Sequence, residues 1–595
     1  MTRKLPTRAE SDPATQWRTQ HIFDSDKSFL HEVSMLSDQC AKLAAYGGKL
    51  SQPQGLLQFL SLLEDTLVGM ANAVSYAGCK NDEDTTNPTY QAFVGTIATL
   101  SVELHASLSF FAPEVLEMGE SLWQMIDSFD ELSPFRKYID DVVRHREHTL
   151  DSEGEYLLSL AGDISGAAEE VFSTLNNADM KFGSIQDENG NVVEVTHGRY
   201  AHFLESTDRQ VRSDAFDALY KAYSNHSHTL ACLLNAHTRK NRYFKVARKY
   251  ESSLEMCLTH SMIPTEVYTQ LIGCVHTALP TFYRYIDLRR KTLGYDQLHM
   301  YDLYVPIVEN PYKDLTYAQA QELVLEALAP LGSAYCERVK EAYGGGWIDV
   351  YENEGKRSGA YSNGAPACHP MILLNHQDNL DSAFTLAHEL GHALHSDLTN
   401  RQQRPVYRNI SIFVAEVAST VNEALLLHHL MERGGEREQK YLINRALENY
   451  RGTLFRQTMF AEFELLIHQH CEEGYTLTAD LLDTMYGSLL QNYFGDRVEI
   501  CPQIRKEWSR IPHFYYDFYV YQYATGFAAA QALTDRILSN NGLEDYLAFL
   551  GAGDSVYPLD ALKIAGADLS TIGPIKSALS KFESLLSRLE LMLQV

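Results

Sequence analysis

The sequence lacks paired cysteines. Its nine (Cys40, Cys79, Cys232, Cys257, Cys274, Cys336, Cys368, Cys471 and Cys501) stand singly, with no C-x-x-C among them. An odd, dispersed set in a chain of 595 residues argues against a disulfide framework and fits a reducing compartment. Long apolar runs are missing too: no stretch of about 18 apolar residues is found, so no membrane span is expected. The opening Met1-Thr-Arg-Lys-Leu-Pro-Thr-Arg-Ala-Glu-Ser-Asp12 has no apolar core of the kind a secretory signal carries, and a cytoplasmic protein is expected. Positive charge is scarce, with 50 Lys and Arg against 78 Asp and Glu and a net charge of -28. Phosphates would be repelled, which argues against nucleic acid as a partner. The basic run Arg239–Lys249 is a local exception, read as a solvated helix face. The glycines of Gly344-Gly-Gly-Trp347 and Gly355–Gly364 lack phosphate-loop spacing, so no nucleotide site is supported.

What is present is an ordinary soluble composition, 45% hydrophobic and 22% charged. The length exceeds one core, so two or more lobes are expected. Helical periodicity covers most of the chain: Leu56 to Val74, Tyr90 to Leu108, Thr207 to Ser224, Thr229 to Lys249, Glu436 to Glu472, Thr478 to Tyr493 and Ile575 to Leu593. Phe110-Phe-Ala-Pro-Glu114 breaks the pattern, and Asn189-Gly190 marks a tight hairpin. The expected fold is mainly α.

The chemistry concentrates in Thr385-Leu-Ala-His-Glu-Leu-Gly-His-Ala-Leu-His395, which contains an H-E-x-x-H motif. On a helix, His388 and His392 lie one turn apart on one face and can reach a single ion. Glu389 sits where its carboxylate can take a proton from an activated water. Zinc suits this set, one ion per chain, because it accepts imidazole nitrogen and can keep a position open. Asp378-Asn379 offers cap candidates for the helix, and Leu380, Ala383, Leu386, Ala387, Leu390, Ala393 and Leu394 form its apolar stripe. Met371–Leu374 before it reads as a short buried strand. Two histidines on an apolar helix can also be satisfied by packing alone.

A motif continuing as G-x-x-H would need glycine and histidine where His395 and Leu398 stand, so that ligand set is excluded. A carboxylate from a later helix remains. The helical segment Ile412 to Leu427 offers Glu416 and Glu423, seven residues and about 10 Å apart along an axis, so both cannot readily bind one ion. Spacing leaves the choice open.

Four runs carry a family resemblance: His388-Glu-Leu-Gly-His392, Phe413-Val-Ala-Glu416-Val-Ala-Ser-Thr420, Gly355-Lys-Arg-Ser-Gly-Ala-Tyr-Ser362 and His513-Phe-Tyr-Tyr-Asp-Phe-Tyr-Val-Tyr-Gln-Tyr523. In order and spacing, from about residue 113 onward, they resemble the oligoendopeptidase F family of thimet oligopeptidase-like zinc peptidases. The resemblance implies two helical lobes around a deep substrate channel, with a small β-sheet beside the zinc-binding helices. After an N-terminal helical region at 1–112, read from periodicity, it implies an N-terminal lobe at 113–200 and a catalytic domain at 201–595. Glu416 becomes the third zinc ligand and Glu423 a supporting or structural residue. The expected activity is hydrolysis of internal bonds in short, unstructured peptides; the sequence does not set an oligomeric state.

Peptide hydrolysis builds negative charge on the former carbonyl oxygen, and hydrogen-bond donors aimed there stabilise it. His513, Tyr516 and Tyr519 are the candidates, three apart on one expected helical face, with Tyr521 and Tyr523 in reserve. Ser358 to Asn363 is expected to form an edge strand that pairs with an extended peptide. Two other functions fit the same residues. One is an exopeptidase trimming carboxyl ends, which needs a cation for the terminal carboxylate. The other is a non-catalytic peptide-binding scaffold, against which Glu389 speaks, since a structural zinc needs no general base.

Overall fold

Apolar side chains recurring every three or four residues wind most of the chain into helices. The computed structural model describes residues 4–312 and 314–594, so positions 1 and 595 of the sequence-based domain division lie outside the described residues. The chain forms two compact units, each built from separated segments. The first comprises Met1–Glu147, Tyr312–Arg433 and Ala530–Asp568; the second comprises His148–Pro311, Gly434–Ala529 and Leu569–Val595. The sequence reading divides the chain consecutively at 112 and 200, whereas these units return to each other's intervals.

In the first unit, α1 (Asp26–Ala44), α2 (Pro53–Glu83) and α3 (Pro88–Leu108) pack together around Phe29, Leu36, Phe59, Leu60, Phe93 and Ile97. Proline opens both α2 and α3, where its missing N–H costs no helical bond, and the Asn87 side chain accepts from Thr89 N at 3.0 Å. The expected break after Ser109 is short, because Phe111–Met118 resumes as a helix with its proline in the first turn, where a proline is tolerated. Pro88–Met118 reaches a mean hydropathy of 1.3 and is long and apolar enough by composition to cross a membrane. It is not an unbroken apolar run, since Thr, Ser, His and Glu interrupt it; leucine, valine, phenylalanine and alanine raise its average. Phe93, Ile97, Leu100 and Leu104 nevertheless face the unit's core.

In the second unit, after helices at Ser152–Ser165 and Ala167–Thr174, comes the hairpin β1 (Ser184–Gln186) and β2 (Val192–Glu194), turning at Gly190 with φ 78°. Beyond the helices His197–Leu204 and Arg209–Asn225 lies α4 (Ser227–Ala247), whose buried face includes Leu230, Leu234 and His237.

Back in the first unit, β3 (Ile348–Asp349), β4 (Tyr361–Asn363) and β5 (Met371–Leu373) form one sheet in the order β3-β5-β4. β5 is central and buried; β3 runs parallel to it and β4 antiparallel, with Tyr361 opposite Leu373 and Asn363 opposite Met371. β4 is thus an edge, as expected for 358–363, although only its last three residues are strand. The buried Lys356 ties the loop between them down. Its ammonium pairs with Asp349 at 2.7 Å and donates to the carbonyls of Tyr351 at 2.7 Å and Leu374 at 2.5 Å. β4 and β5 pack against α5 (Leu380–Gln402), which itself packs along α6 (Ile412–Arg433). In the second unit, α7 (Arg456–Glu472) packs against α4. Farther on, α8 (Tyr521–Leu538) starts after the tyrosine-rich segment, and α9 (Gly573–Leu593) buries Ile575, Leu579, Phe582, Leu586 and Leu589 as its spacing predicts.

Candidate metal centre

Asn379 caps α5 by accepting from Ser382 N at 2.9 Å, and Asp381 in the first turn suits the positive end of the helix. The apolar stripe from Leu380 to Leu394 is buried, which turns His388 and His392 onto the half-exposed face. Gly391 lets α6 come close: a Cβ built there would meet Ser419 Cα at 2.5 Å and Ala418 O at 2.8 Å. A cross-helix bond from Asn422 Nδ2 to Ala387 O, 3.0 Å, fixes the register between the two helices.

That register brings Glu416 to the histidines. His388 Nε2 lies 3.1 Å from His392 Nε2, and Glu416 Oε2 lies 3.5 Å from the first and 3.8 Å from the second. Three donors 2.0–2.2 Å from one tetrahedral ion would stand about 3.3–3.6 Å apart, so the set fits a single ion of that size. His388, His392 and Glu416 are the one such group among the described residues. Glu423, one alternative that spacing left open, meets the other side of His388: its Oε1 lies 2.5 Å from Nδ1. A carboxylate there fixes which nitrogen of the ring is free to bind. His395 points elsewhere, buried against Phe549.

Charge is crowded here. Burial alone would lower the His388 pKa, but the hydrogen bond and charge of Glu423, with Glu389 and Glu416, lift it to about 9. Burial and the neighbouring His388 push His392 down to about 3. Two imidazoles this close hold one proton between them, and a bound cation would take its place. Glu389 is 5% exposed, and burial, with Glu416 and Glu423, raises its pKa to about 7 against the pull of His388. Its Oε2 is buried without a hydrogen-bond partner. An unsatisfied carboxylate beside the donor set is placed to hold a proton rather than to hold the fold.

The tyrosine-rich segment, in the second unit, departs from expectation. A helix does not carry His513, Tyr516 and Tyr519: a short turn at Pro512–Tyr515 ends, and Asp517 and Phe518 follow with φ 52° and 60° before α8 begins. The rings still gather. His513 lies 5.6 Å from Tyr516, 6.2 Å from Tyr519 and 5.9 Å from Tyr523 between ring centres. Tyr521 does not join them and is buried against Tyr268. Burial and the charge of Arg456 lower the His513 pKa. Sequence reasoning missed Gly391 and Asp517. The glycine inside the H-E-x-x-H motif was a signal for a close helix pair, whereas nothing local to Asp517 announced its partners.

Residues 202–581 match peptidase family M3, and residues 114–182 match oligopeptidase F. The chain is 42% identical to oligopeptidase PepF of Bacillus subtilis (strain 168) over 592 residues, 99% of this chain and 88% of that protein. It is 39% identical to group B oligopeptidase PepB of Streptococcus agalactiae over 588 residues, 98% of each. The crystal structure of oligoendopeptidase-F from Enterococcus faecium superposes with a TM-score of 0.75 at 36% identity, covering 96% of this chain and 99% of that one. A mainly α chain with an H-E-x-x-H helix, a glutamate brought to it by the next helix and relatives along nearly its whole length therefore belongs to peptidase family M3, in its oligoendopeptidase F group.

Proposed function

We propose that this protein is a zinc metalloendopeptidase that hydrolyses internal bonds of short, unstructured peptides. The observation that carries the reading is the trio His388, His392 and Glu416, spaced 3.1–3.8 Å apart beside a buried, unpartnered Glu389. Two imidazoles and a carboxylate match catalytic rather than structural zinc, which takes four protein ligands. Zinc bound there would acidify a water and polarise the substrate carbonyl. Glu423 holds the His388 ring in the tautomer that leaves Nε2 free. Glu389 accepts the attacking water's proton and returns it to the leaving amine. A pKa raised by burial suits both halves of that task, and a nearby dication would draw it back toward the acidic side.

His513, Tyr516 and Tyr519 are proposed as donors to the oxygen that gains charge, with Tyr523 adjoining them. β4 is proposed to pair with the extended substrate. Single proline replacements along 361–363 should raise KM at alternate positions, those whose N–H points outward. The free cysteines fit a reducing, cytoplasmic setting.

Internally quenched, end-blocked peptides of graded length test the reading, with metal content measured on the same sample. Cleavage of blocked short peptides, loss on chelation and recovery with one zinc per chain are expected. Activity that survives complete metal removal, or that requires a free carboxyl end, would overturn the reading.

A further inference from the structure

Asp517 and Phe518 are consecutive left-handed residues, and neither is glycine. For a side chain as bulky as Phe518 that conformation is an outlier, and such pairs persist only where the surroundings over-determine them. Here they do. The Asp517 carboxylate lies 3.1 Å from His237 Nε2, accepts Lys240 Nζ at 3.1 Å through each oxygen, and accepts Asn241 Nδ2 at 2.7 Å. These three residues occupy one face of α4 at helical spacing. Phe518 is anchored from α7: its N–H donates to Glu464 Oε1 at 2.7 Å, and its ring packs 4.5 Å from that of His468. Asn241 also reaches His468 Nε2 at 3.0 Å, which joins the two anchors. Burial works against an ionised Asp517, yet His237, Lys240 and Asn241 hold its pKa well below the usual carboxylate range.

The clamped pair stands between Tyr516 and Tyr519. On a continuous helix, residues six apart point about 120° away from each other and lie about 9 Å apart along the axis. The left-handed turn replaces that register and leaves the rings of His513 and Tyr519 facing at 6.2 Å, only 14° from parallel. Tyr516 sits 5.6 Å from the same histidine.

We propose that Asp517 is a positioning residue for peptide hydrolysis: gripped by His237, Lys240 and Asn241, it holds the left-handed turn that sets Tyr516 and Tyr519 beside His513. The inference rests on the peptidase reading above and adds a role for a residue that touches neither substrate nor metal. Asparagine tolerates the left-handed region and keeps an acceptor for the α4 donors, whereas alanine keeps neither.

The test measures kcat, KM, zinc content and thermal midpoint for D517A and D517N. Each is made in the otherwise unchanged protein and in the Tyr516→Phe/Tyr519→Phe background. D517A should lower kcat about 100-fold with KM changed less than about threefold, as expected for misplaced groups, while D517N stays within about threefold of the parent. In the double-phenylalanine background D517A should add almost nothing, because the groups it positions are already gone. If D517A does not fold, Lys240→Met reads the same quantity and should lower kcat about tenfold in the parent alone. Equal losses in both backgrounds, or no loss in a folded variant, overturn the proposal. So does a double-phenylalanine parent as active as the original, which removes the donor assignment as well. An unchanged protein without zinc or turnover instead marks failure of the peptidase reading.

Discussion

The metal centre and the tyrosine-rich segment reach order by opposite routes. At the metal centre, two of three donors come from successive turns of one regular helix, and the third follows from how closely the next helix lies. At the tyrosines, the backbone leaves every regular conformation for two residues and is held there by side chains some fifty and nearly three hundred positions earlier in the chain. The two histidines, set by helix periodicity, are specified by a dozen neighbouring letters. A site built on a clamped turn is specified by letters scattered over half the sequence. The first should therefore fail through chemistry or metal loss when altered, and the second through misplacement.

The largest effect should come from Glu389→Gln. Turnover of a quenched peptide should fall about 10³-fold with zinc content unchanged, because the amide fills the same space but cannot take a proton. Equal loss of zinc would erase the distinction between chemistry and assembly at this site. Next is Glu423→Gln, which weakens the grip on His388 Nδ1. Zinc affinity, read by competition with a chelating dye, should drop about 10- to 100-fold. An unchanged affinity would reduce Glu423 to a bystander. Gly391→Ala sharpens the contrast from the packing side, since its methyl would meet the α6 backbone at 2.5 Å. Overpacking of this kind costs about 1–3 kcal/mol, visible in the denaturant midpoint, and zinc affinity should fall with it.

The smallest effect belongs to the tyrosine side. Burial, with Asp517 nearby, raises the Glu464 pKa from 4.5 to about 8, against the Phe518 N–H that favours the ionised form. A raised folded-state pKa means that the folded protein holds this proton more tightly. Its contribution to stability is fully present below about pH 4.5 and is lost as pH rises through about 8. Glu464→Gln should flatten the fall in unfolding midpoint between pH 5 and 8, and a parallel profile would show that Glu464 does not titrate there.

The same contrast explains what could be read in advance. The cap at Asn379, the stripe from Leu380 to Leu394 and the spacing of His388 and His392 are local, and the helix followed from them. The choice between Glu416 and Glu423 was not local, because it turns on interhelix distance set by Gly391, and family resemblance supplied it. The Tyr516–Tyr519 helix failed because its periodic-looking letters are overruled by His237, Lys240, Asn241 and Glu464, whose contribution no window around Asp517 contains. The two-unit division escaped a consecutive reading for a related reason: each unit is assembled from intervals that the other interrupts.

The C-terminal end of α5 is closed late in the sequence. Phe549 packs on His395, Thr399 donates to the Leu550 carbonyl at 3.0 Å, and Gln403 donates to that of Gly551 at 2.7 Å. These partners lie more than a hundred residues beyond Glu416, so the C-terminal end of the helix that bears two of the three candidate donors gains them only when the chain is nearly complete.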